Sequence, residues 1–305
     1  MKNNLAQRQI LEQVEIVLGI HILEVRLPMQ GMDSEVFLVT DEGGHEYIVK
    51  FGMDVFNDFL ALNLIQENKI EIPTPLIHGH FSFENKTVLI LEKITHPLLE
   101  FAPHDTQYKY IESMLDNLNK IHLIKSDKAG LLSDQQNKKT WKELLLFKYS
   151  GEHPWFDWKN ISRRDGVDGK LLEASLKKII KKIENQDFLD KSYSLLHTDF
   201  NQRNIFVDPT SNKVAGIIDW SEAMFGDLLY DFARIRMYIW HFNLKHNALQ
   251  NYYRSLALTD KEKTLEELYM VSQILDYVTW YSEVKNDFND ARLGLHQQFL
   301  RDYNW

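Results

Sequence analysis

Between Ser194 and Asp231 the chain reads SLLHTDFNQRNIFVDPTSNKVAGIIDWSEAMFGDLLYD, and this stretch limits what the remainder can be. An apolar approach, Leu195-Leu196, leads to His197, Asp199 and Asn204. Ile205–Val207 reads as a short strand, Asp208-Pro209 as a turn, and Val214–Ile218 as a second strand that delivers Asp219. Two strands joined by a Pro/Ser/Asn turn form a hairpin. Asp199 then lies on the loop before the hairpin and Asp219 just past its end, so that Asp199, Asn204 and Asp219 can converge on one patch. A carboxylate for an incoming hydroxyl, beside a pair of oxygen ligands for a hard metal ion, is what phosphoryl transfer from a magnesium nucleotide requires. Singly the three residues say little: Asp199 can cap a helix, Asn204 can sit in a turn, and Asp219 can be an ordinary strand end. Their combination carries the signal.

Composition sets the frame for that patch. The chain has 305 residues, 44% of them hydrophobic and 26% charged, which suits a globular protein with room for two domains or one two-lobed unit. There is no cysteine, hence no disulfide framework and no thiolate chemistry, in keeping with a reducing cytoplasm. The N-terminal MKNNLAQRQILEQVEIVL is interrupted by Gln and Glu and reads as an amphipathic helix rather than a signal peptide. No apolar run approaches the roughly 20 residues of a membrane helix, so no membrane partner is expected. The formal net charge of −9 disfavours a nucleic-acid partner, whose phosphates need Lys and Arg. An acidic surface instead attracts a cationic small molecule.

Taken in order, residues 4–18 place Ile10, Leu11, Val14, Val17 and Leu18 on one helical face. Strands are expected at His21–Leu27, Glu35–Thr40 and Glu46–Phe51, with a Gly31-containing turn after the first and Asp41-Glu-Gly-Gly44 as a hairpin turn. A helix follows at Asp54–Ile65, then strands at Leu76–His80 and Lys86–Ile94. Beyond Pro97 the pattern becomes helical: 106–125, Leu171–Ile183, Phe232–Phe242 and Met270–Val284. The KKIIKK run reads as a solvated helix face. Residues 126–166 are irregular and either help wall a substrate pocket or form a packed connection, with Trp141, Trp155 and Trp158 read as packing residues in the second, favoured case.

The spacing His197-Thr-Asp199-Phe-Asn-Gln-Arg-Asn204, followed by GIIDW with Asp219, resembles the aminoglycoside phosphotransferases, relatives of the protein kinases. The run DWSEAMFGD (219–227) is similar to the hygromycin B phosphotransferases among them. The resemblance implies an α+β, two-lobed protein-kinase-like fold: a small β-rich nucleotide-binding lobe over 1–95 and a larger, mainly helical catalytic and substrate-binding lobe over 96–305. The glycine-poor turn at Gly31 suits the small-molecule branch, and without an HRD arginine, a DFG or an APE-type segment in the expected place, activation controlled by phosphorylation is not expected.

The resemblance also assigns roles. Asp199 orients and deprotonates the acceptor hydroxyl, and Asn204 and Asp219 ligate magnesium. Lys50, in YIVKFG, holds the phosphates of ATP or GTP, with an acid from the next helix as its partner: Asp58, or alternatively Asp54 or Glu67. The backbone at Glu92–Ile94 holds the purine. His197 buttresses the loop, while Asp227 and Asp231 of GDLLYD brace it. Glu222, Glu283, Asp287 and Asp290 are candidates for binding substrate ammonium groups. The expected acceptor is a cationic aminocyclitol such as hygromycin B, and the protein a monomer. Rival readings are a kinase of choline, methylthioribose, homoserine or a related amino-alcohol or sugar, and a nucleotide-binding pseudokinase.

Overall fold

The computed structural model describes residues 2–27, 34–134, 140–153, 156–188, 192–244 and 247–303. The turn at Gly31 and residue Trp155 lie outside the described residues. The chain packs into two units, one of Met1–Ile124, Leu131–Asp134 and His197–Met224, the other of Lys125–Gly130, Gln135–Leu196 and Phe225–Trp305.

Alternation of side chains along the strands builds the first unit. Its elements begin with α1 (Lys2–Leu18), β1 (Ile22–Arg26), β2 (Glu35–Asp41), β3 (Glu46–Gly52), α2 (Val55–Glu67), β4 (Ile77–Phe83) and β5 (Lys86–Glu92). The strands form one antiparallel sheet in the order β1-β2-β3-β5-β4. Phe37 and Val39 of β2, Val49 and Phe51 of β3, and Val88 and Ile90 of β5 pack with Ile10 and Val14 of α1. Successive strand residues point to opposite faces. Lys50, between Val49 and Phe51 and opposite Leu89 of β5, therefore leaves the α1 face. A one-residue slip of β3 would drive its ammonium into the apolar core. The core thus fixes where the lysine points.

The turn between β2 and β3 forms as the Gly-Gly pair predicts. Gly44 sits at φ +79, and its N–H donates to Asp41 O at 3.0 Å. Several boundaries differ from the sequence reading: the helix expected over Met270–Val284 runs from Asp260 to Tyr281, β4 continues to Phe83, and the stretch 126–166, read as irregular, holds a helix at Trp141–Tyr149. The β5 strand stops at Glu92 rather than Ile94. The helix expected over 106–125 is α-helical only as α3 (Ile111–Ile121), and a 3-10 segment, His104–Tyr110, precedes it. There the Thr106 hydroxyl bonds to Pro103 O, and the Gln107 amide to Leu99 and Ala102 O. Such side-chain bonds to the backbone compete with α-helical winding.

The second unit is mainly helical, with helices at Trp141–Tyr149, Gly169–Asn185, Leu229–His241, Asn247–Leu256, Asp260–Tyr281 and Asp287–Asp302. Two of them start with reciprocal capping boxes, Thr140 with Glu143 and Thr259 with Glu262. The Gly169–Asn185 helix buries Leu172, Leu176, Ile179 and Ile183 and leaves Lys177, Lys178 and Lys181 exposed, a solvated basic face. Trp141 and Trp158 are buried, their indole N–H groups bonded to Tyr269 Oη at 2.8 Å and Lys148 O at 3.0 Å. The Tyr269 hydroxyl in turn donates to Asp227 at 2.9 Å, and Asp227 accepts the Leu229 N–H at the start of the next helix. Asp227 is thus a structural link within this unit.

His296 lies fully buried here, stacked on Tyr277 and beside His241 and Tyr281. Its Nδ1–H donates to Arg292 O at 2.6 Å. Burial is the main force that lowers its pKa, to about 4, and the Arg292 charge adds to it while the bond to Arg292 O opposes it. The unfolded chain, with an ordinary histidine, binds the proton first on acidification, so stability falls as pH drops from about 6.5 towards 4. Between pH 7 and 5 the folded state should lose about 2 kcal/mol through this group. Urea unfolding of the wild type and of His296→Gln checks it. Between pH 7 and 5 the variant should lose about 2 kcal/mol less than the wild type, and equal losses would refute the assignment.

Candidate active site

The hairpin foreseen in the sequence is present. Ile205–Asp208 pairs antiparallel with Lys213–Ile217, Ile205 opposite Ile217 and Asp208 opposite Lys213, with a register shift between Val214 and Gly216. Ser113 of α3 accepts the Val214 N–H at 3.0 Å, which anchors the hairpin to that helix. At its open end Ile218 N–H donates to Asn204 O at 3.0 Å, so the segment before the first strand and the segment after the second are neighbours.

His197 joins the same two segments. It is fully buried, its Nε2 bonded to Ile218 O at 3.0 Å and its ring against Phe200 and Trp220. Beside it Thr198 adopts φ +67 and Asp219 φ +64. Left-handed backbone is uncommon outside glycine, and for a β-branched residue it is strained. Surrounding bonds hold it there: the Thr198 hydroxyl donates to Glu222 O at 3.0 Å. Strain of this kind persists only where its neighbours over-determine it, and it gathers at functional sites.

Asp199 and Asn204 meet directly. Asn204 Nδ2 donates to Asp199 Oδ2 at 2.8 Å and to its carbonyl at 3.0 Å, and Asn201 Nδ2 donates to Oδ1 at 2.8 Å. With its amide nitrogen engaged this way, Asn204 would meet a cation through its amide oxygen. The sequence did not single out Asn201. Its side chain belongs to an Asx-type turn, since its oxygen accepts the Arg203 N–H, and such residues look like any loop asparagine.

Lys50 joins the remaining residues. Its Nζ lies 2.7 Å from Asp58 Oδ2 and 2.7 Å from Asp219 Oδ1. Asp58, not Asp54 or Glu67, is therefore its helical partner; Asp54 is the N-cap residue of α2, and Glu67 accepts from Asn63. Burial acts against the Lys50 ammonium, but Asp58 and Asp219 outweigh it and raise its pKa above the ordinary lysine value. Burial raises the pKa of Asp58; Lys50 offsets this in part and Asp219 adds to it. For the less buried Asp219, burial is outweighed by Lys50, with help from His197 and Ser221, and its pKa is lowered. The outer carboxylate is thus the better anion.

Among the described residues no cluster of three His, Asp or Glu side chains could hold a metal ion alone. An oxygen from Asn204 and a partly exposed Asp219 carboxylate nonetheless fit magnesium, which retains waters and is shared with substrate phosphates. Glu222 is exposed in the same unit, and its carbonyl, not its carboxylate, is engaged by Thr198. Glu283 and Asp287 are exposed in the second unit, on either side of the start of its last helix. Glu92 donates its N–H to Leu76 O at 2.9 Å, and the Ile94 side chain fills the space over Gly216, where a Cβ would lie 2.5 Å from Ile94 Cδ1.

Sheet, hairpin and helices together make the α+β protein-kinase-like fold, and solved structures share it. A thermostable mutant of aminoglycoside phosphotransferase APH(4)-Ia in its apo form aligns with a TM-score of 0.73 at 18% identity, over 94% of this chain and 96% of that one. The amicoumacin kinase hAmiN aligns at 0.65 and 10% identity, over 97% and 93%. The sequence pattern of the Phosphotransferase enzyme family matches residues 24–266, and the chain belongs to that family. It is similar to the hygromycin-B 4-O-kinase of Escherichia coli, 44% identical over 214 residues, or 68% of this chain. The match spans 60% of that relative's length.

The buried lysine makes a stability prediction. Lys50→Met leaves Asp58 charged, buried and without its cation, which should cost about 3 kcal/mol at pH 7. The deficit relative to wild type should shrink at lower pH as Asp58 takes up a proton. Lys50→Met/Asp58→Asn should recover part of the loss in a double-mutant cycle of denaturant unfolding. Strictly additive losses would mean that the pair is not coupled.

Proposed function

We propose that this protein is a magnesium-dependent small-molecule O-phosphotransferase that moves the γ-phosphate of ATP or GTP to a hydroxyl of an aminoglycoside or aminocyclitol such as hygromycin B. The observation that carries the reading is the pairing of Asp199 with Asn204, beside a Lys50 held between Asp58 and Asp219. In this reading Asp199 orients the acceptor hydroxyl and takes its proton. Lys50 holds nucleotide phosphates, and Asp58 fixes Lys50. Asn204 and Asp219 hold magnesium, which when bound neutralises charge on the phosphate oxygens. The purine is bound by the Glu92 carbonyl and the Ile94 N–H, a division consistent with the Glu92 N–H being spent on Leu76. The nucleotide-binding lobe ends near residue 95, and the enzyme works as a cytoplasmic monomer.

The acceptor follows from the relatives and from charge. Besides the Escherichia coli hygromycin-B 4-O-kinase, the aligned structures include an APH(4)-Ia ternary complex with ADP and hygromycin B, at TM-score 0.71 and 18% identity over 95% of this chain and 96% of that one. A net charge of −9 suits a polyamine acceptor, and the exposed Glu222, Glu283 and Asp287 are candidates for its ammonium groups. The intact Asp199, Asn204 and Asp219 set argues against a pseudokinase.

Asp199→Ala should lower kcat by a factor on the order of 10² to 10⁴, the usual share of a positioned general base, with nucleotide affinity little changed. Single-turnover phosphate transfer followed by mass spectrometry checks this, and near-normal transfer would refute the role.

A second measurement tests the acceptor. Purified protein with ATP or GTP should phosphorylate hygromycin B in a panel that also holds other aminoglycosides, choline and methylthioribose. Exposed ammonium–carboxylate contacts are screened by salt. The acceptor KM should therefore rise with ionic strength more than the nucleotide KM does. Transfer only to a neutral sugar, without salt dependence, would overturn the cationic acceptor and leave the phosphotransferase reading intact.

A further inference from the structure

Directly before Asp58 on α2 stands Asn57, 2% exposed, which the sequence gives no reason to notice. Its amide nitrogen lies 3.3 Å from Trp220 O, 2.9 Å from Ser221 O and 2.8 Å from Ala223 O. Its Oδ1 accepts the Ser133 N–H at 3.0 Å. One buried side chain thus gathers three carbonyls of the loop that follows Asp219 and ties them to α2 and to the turn at Ser133. The neighbouring Asp58 completes the grip, its Oδ1 accepting the Trp220 N–H at 2.6 Å. Trp220 O also accepts the Ala223 N–H at 2.9 Å and Ala223 O the Leu132 N–H at 3.4 Å, so the Asn57 amide adds to the loop's backbone bonds and is the side chain that joins all three carbonyls to α2.

Asp219 needs such a grip. Its φ of +64 is a conformation that a non-glycine residue keeps only under constraint from its surroundings. The constraint acts just after it, at residues 220–223, through Asn57, Asp58 and the bond from Thr198 to Glu222 O.

We infer that Asn57 is a positioning residue for the Asp219 carboxylate: it clamps the 220–223 loop to α2 and so holds Asp219 in its left-handed, ligand-ready conformation. The inference rests on the reading of Asp219 as a metal ligand. Groups that orient a ligand from behind typically change metal affinity or activity 10- to 100-fold when removed.

The test measures metal binding rather than turnover. Mn²⁺ is titrated by electron paramagnetic resonance into full-length protein with the non-hydrolysable nucleotide AMP-PNP, for wild type, Asn57→Ala, Asn57→Ser, Val55→Ala and Asp219→Ala. Asn57→Ala should raise the Mn²⁺ Kd about tenfold while metal-free nucleotide affinity stays unchanged. Asn57→Ser, which keeps one donor and is the milder lesion should the alanine variant not fold, should show a smaller rise. Val55 is a fully buried residue of the same helix turn whose side chain cannot bond to the loop, so Val55→Ala should lower stability without moving the Mn²⁺ Kd. Wild-type Mn²⁺ affinity in both Asn57 variants, with Asp219→Ala impaired, would overturn the inference alone. An equal loss in Val55→Ala would reduce Asn57 to a structural residue. Wild-type affinity in Asp219→Ala would instead overturn the metal-ligand reading on which the inference stands.

Discussion

One ammonium group between two carboxylates organises the first unit. Lys50 is nearly buried, and a buried lysine is tolerable only as a paired ion. Its two partners come from distant parts of the chain, Asp58 on the first turns of α2 and Asp219 at the end of the hairpin. Satisfying this cation therefore requires β3, α2 and the 219–223 loop to be assembled together. The two acids are not equivalent. Asp58 is buried and anchored to a backbone N–H, so it serves the protein; Asp219 is partly exposed and has a lowered pKa, so it remains charged towards solvent.

Around this triad the loops are held by polar bonds to backbone rather than by apolar packing alone. His197 is bonded to Ile218 O, Thr198 to Glu222 O, Asn204 to the Asp199 carbonyl, and Asn57 to three carbonyls. The bonds from His197, Thr198 and Asn57 tie one segment of the chain to another, and that from Asn204 closes the 199–204 loop on itself. Such bonds replace water for buried carbonyls and allow two left-handed non-glycine residues, Thr198 and Asp219, to persist in the candidate site. The apolar residues between them, Phe200, Ile205, Val207, Ile217 and Trp220, are buried and hold the hairpin in place.

The second unit shows the same economy in a different setting. Trp141, Tyr269 and Asp227 form a chain of bonds that ends on the first N–H of the Leu229–His241 helix. The GDLLYD segment that follows the 219–223 loop in sequence thus starts by organising helices. Glu283 and Asp287, by contrast, are exposed beside a helix start, where a carboxylate costs little to keep and can meet a cation.

The sequence by itself determined most of the elements of the first unit and most of the candidate site. Short apolar runs bounded by turn signals predicted the five strands of the first unit's sheet, and the spacing around Asp199, Asn204 and Asp219 predicted the hairpin and the patch beside it, because period and turn chemistry are local properties. Its strand limit at Ile94 and its helix limits over 106–125 differ from the structure, and in the second case side-chain bonds of Thr106 and Gln107 to the backbone tighten the winding. Only the tertiary structure decided that Asp58, rather than Asp54 or Glu67, faces Lys50, since that choice depends on how α2 rolls on the sheet. Only it revealed Asn57, Thr198 and Asn201, whose contacts are largely to main-chain atoms that every residue carries. A pattern written in side chains names the candidate groups. The backbone groups that hold them still acquire partners only when the chain has folded.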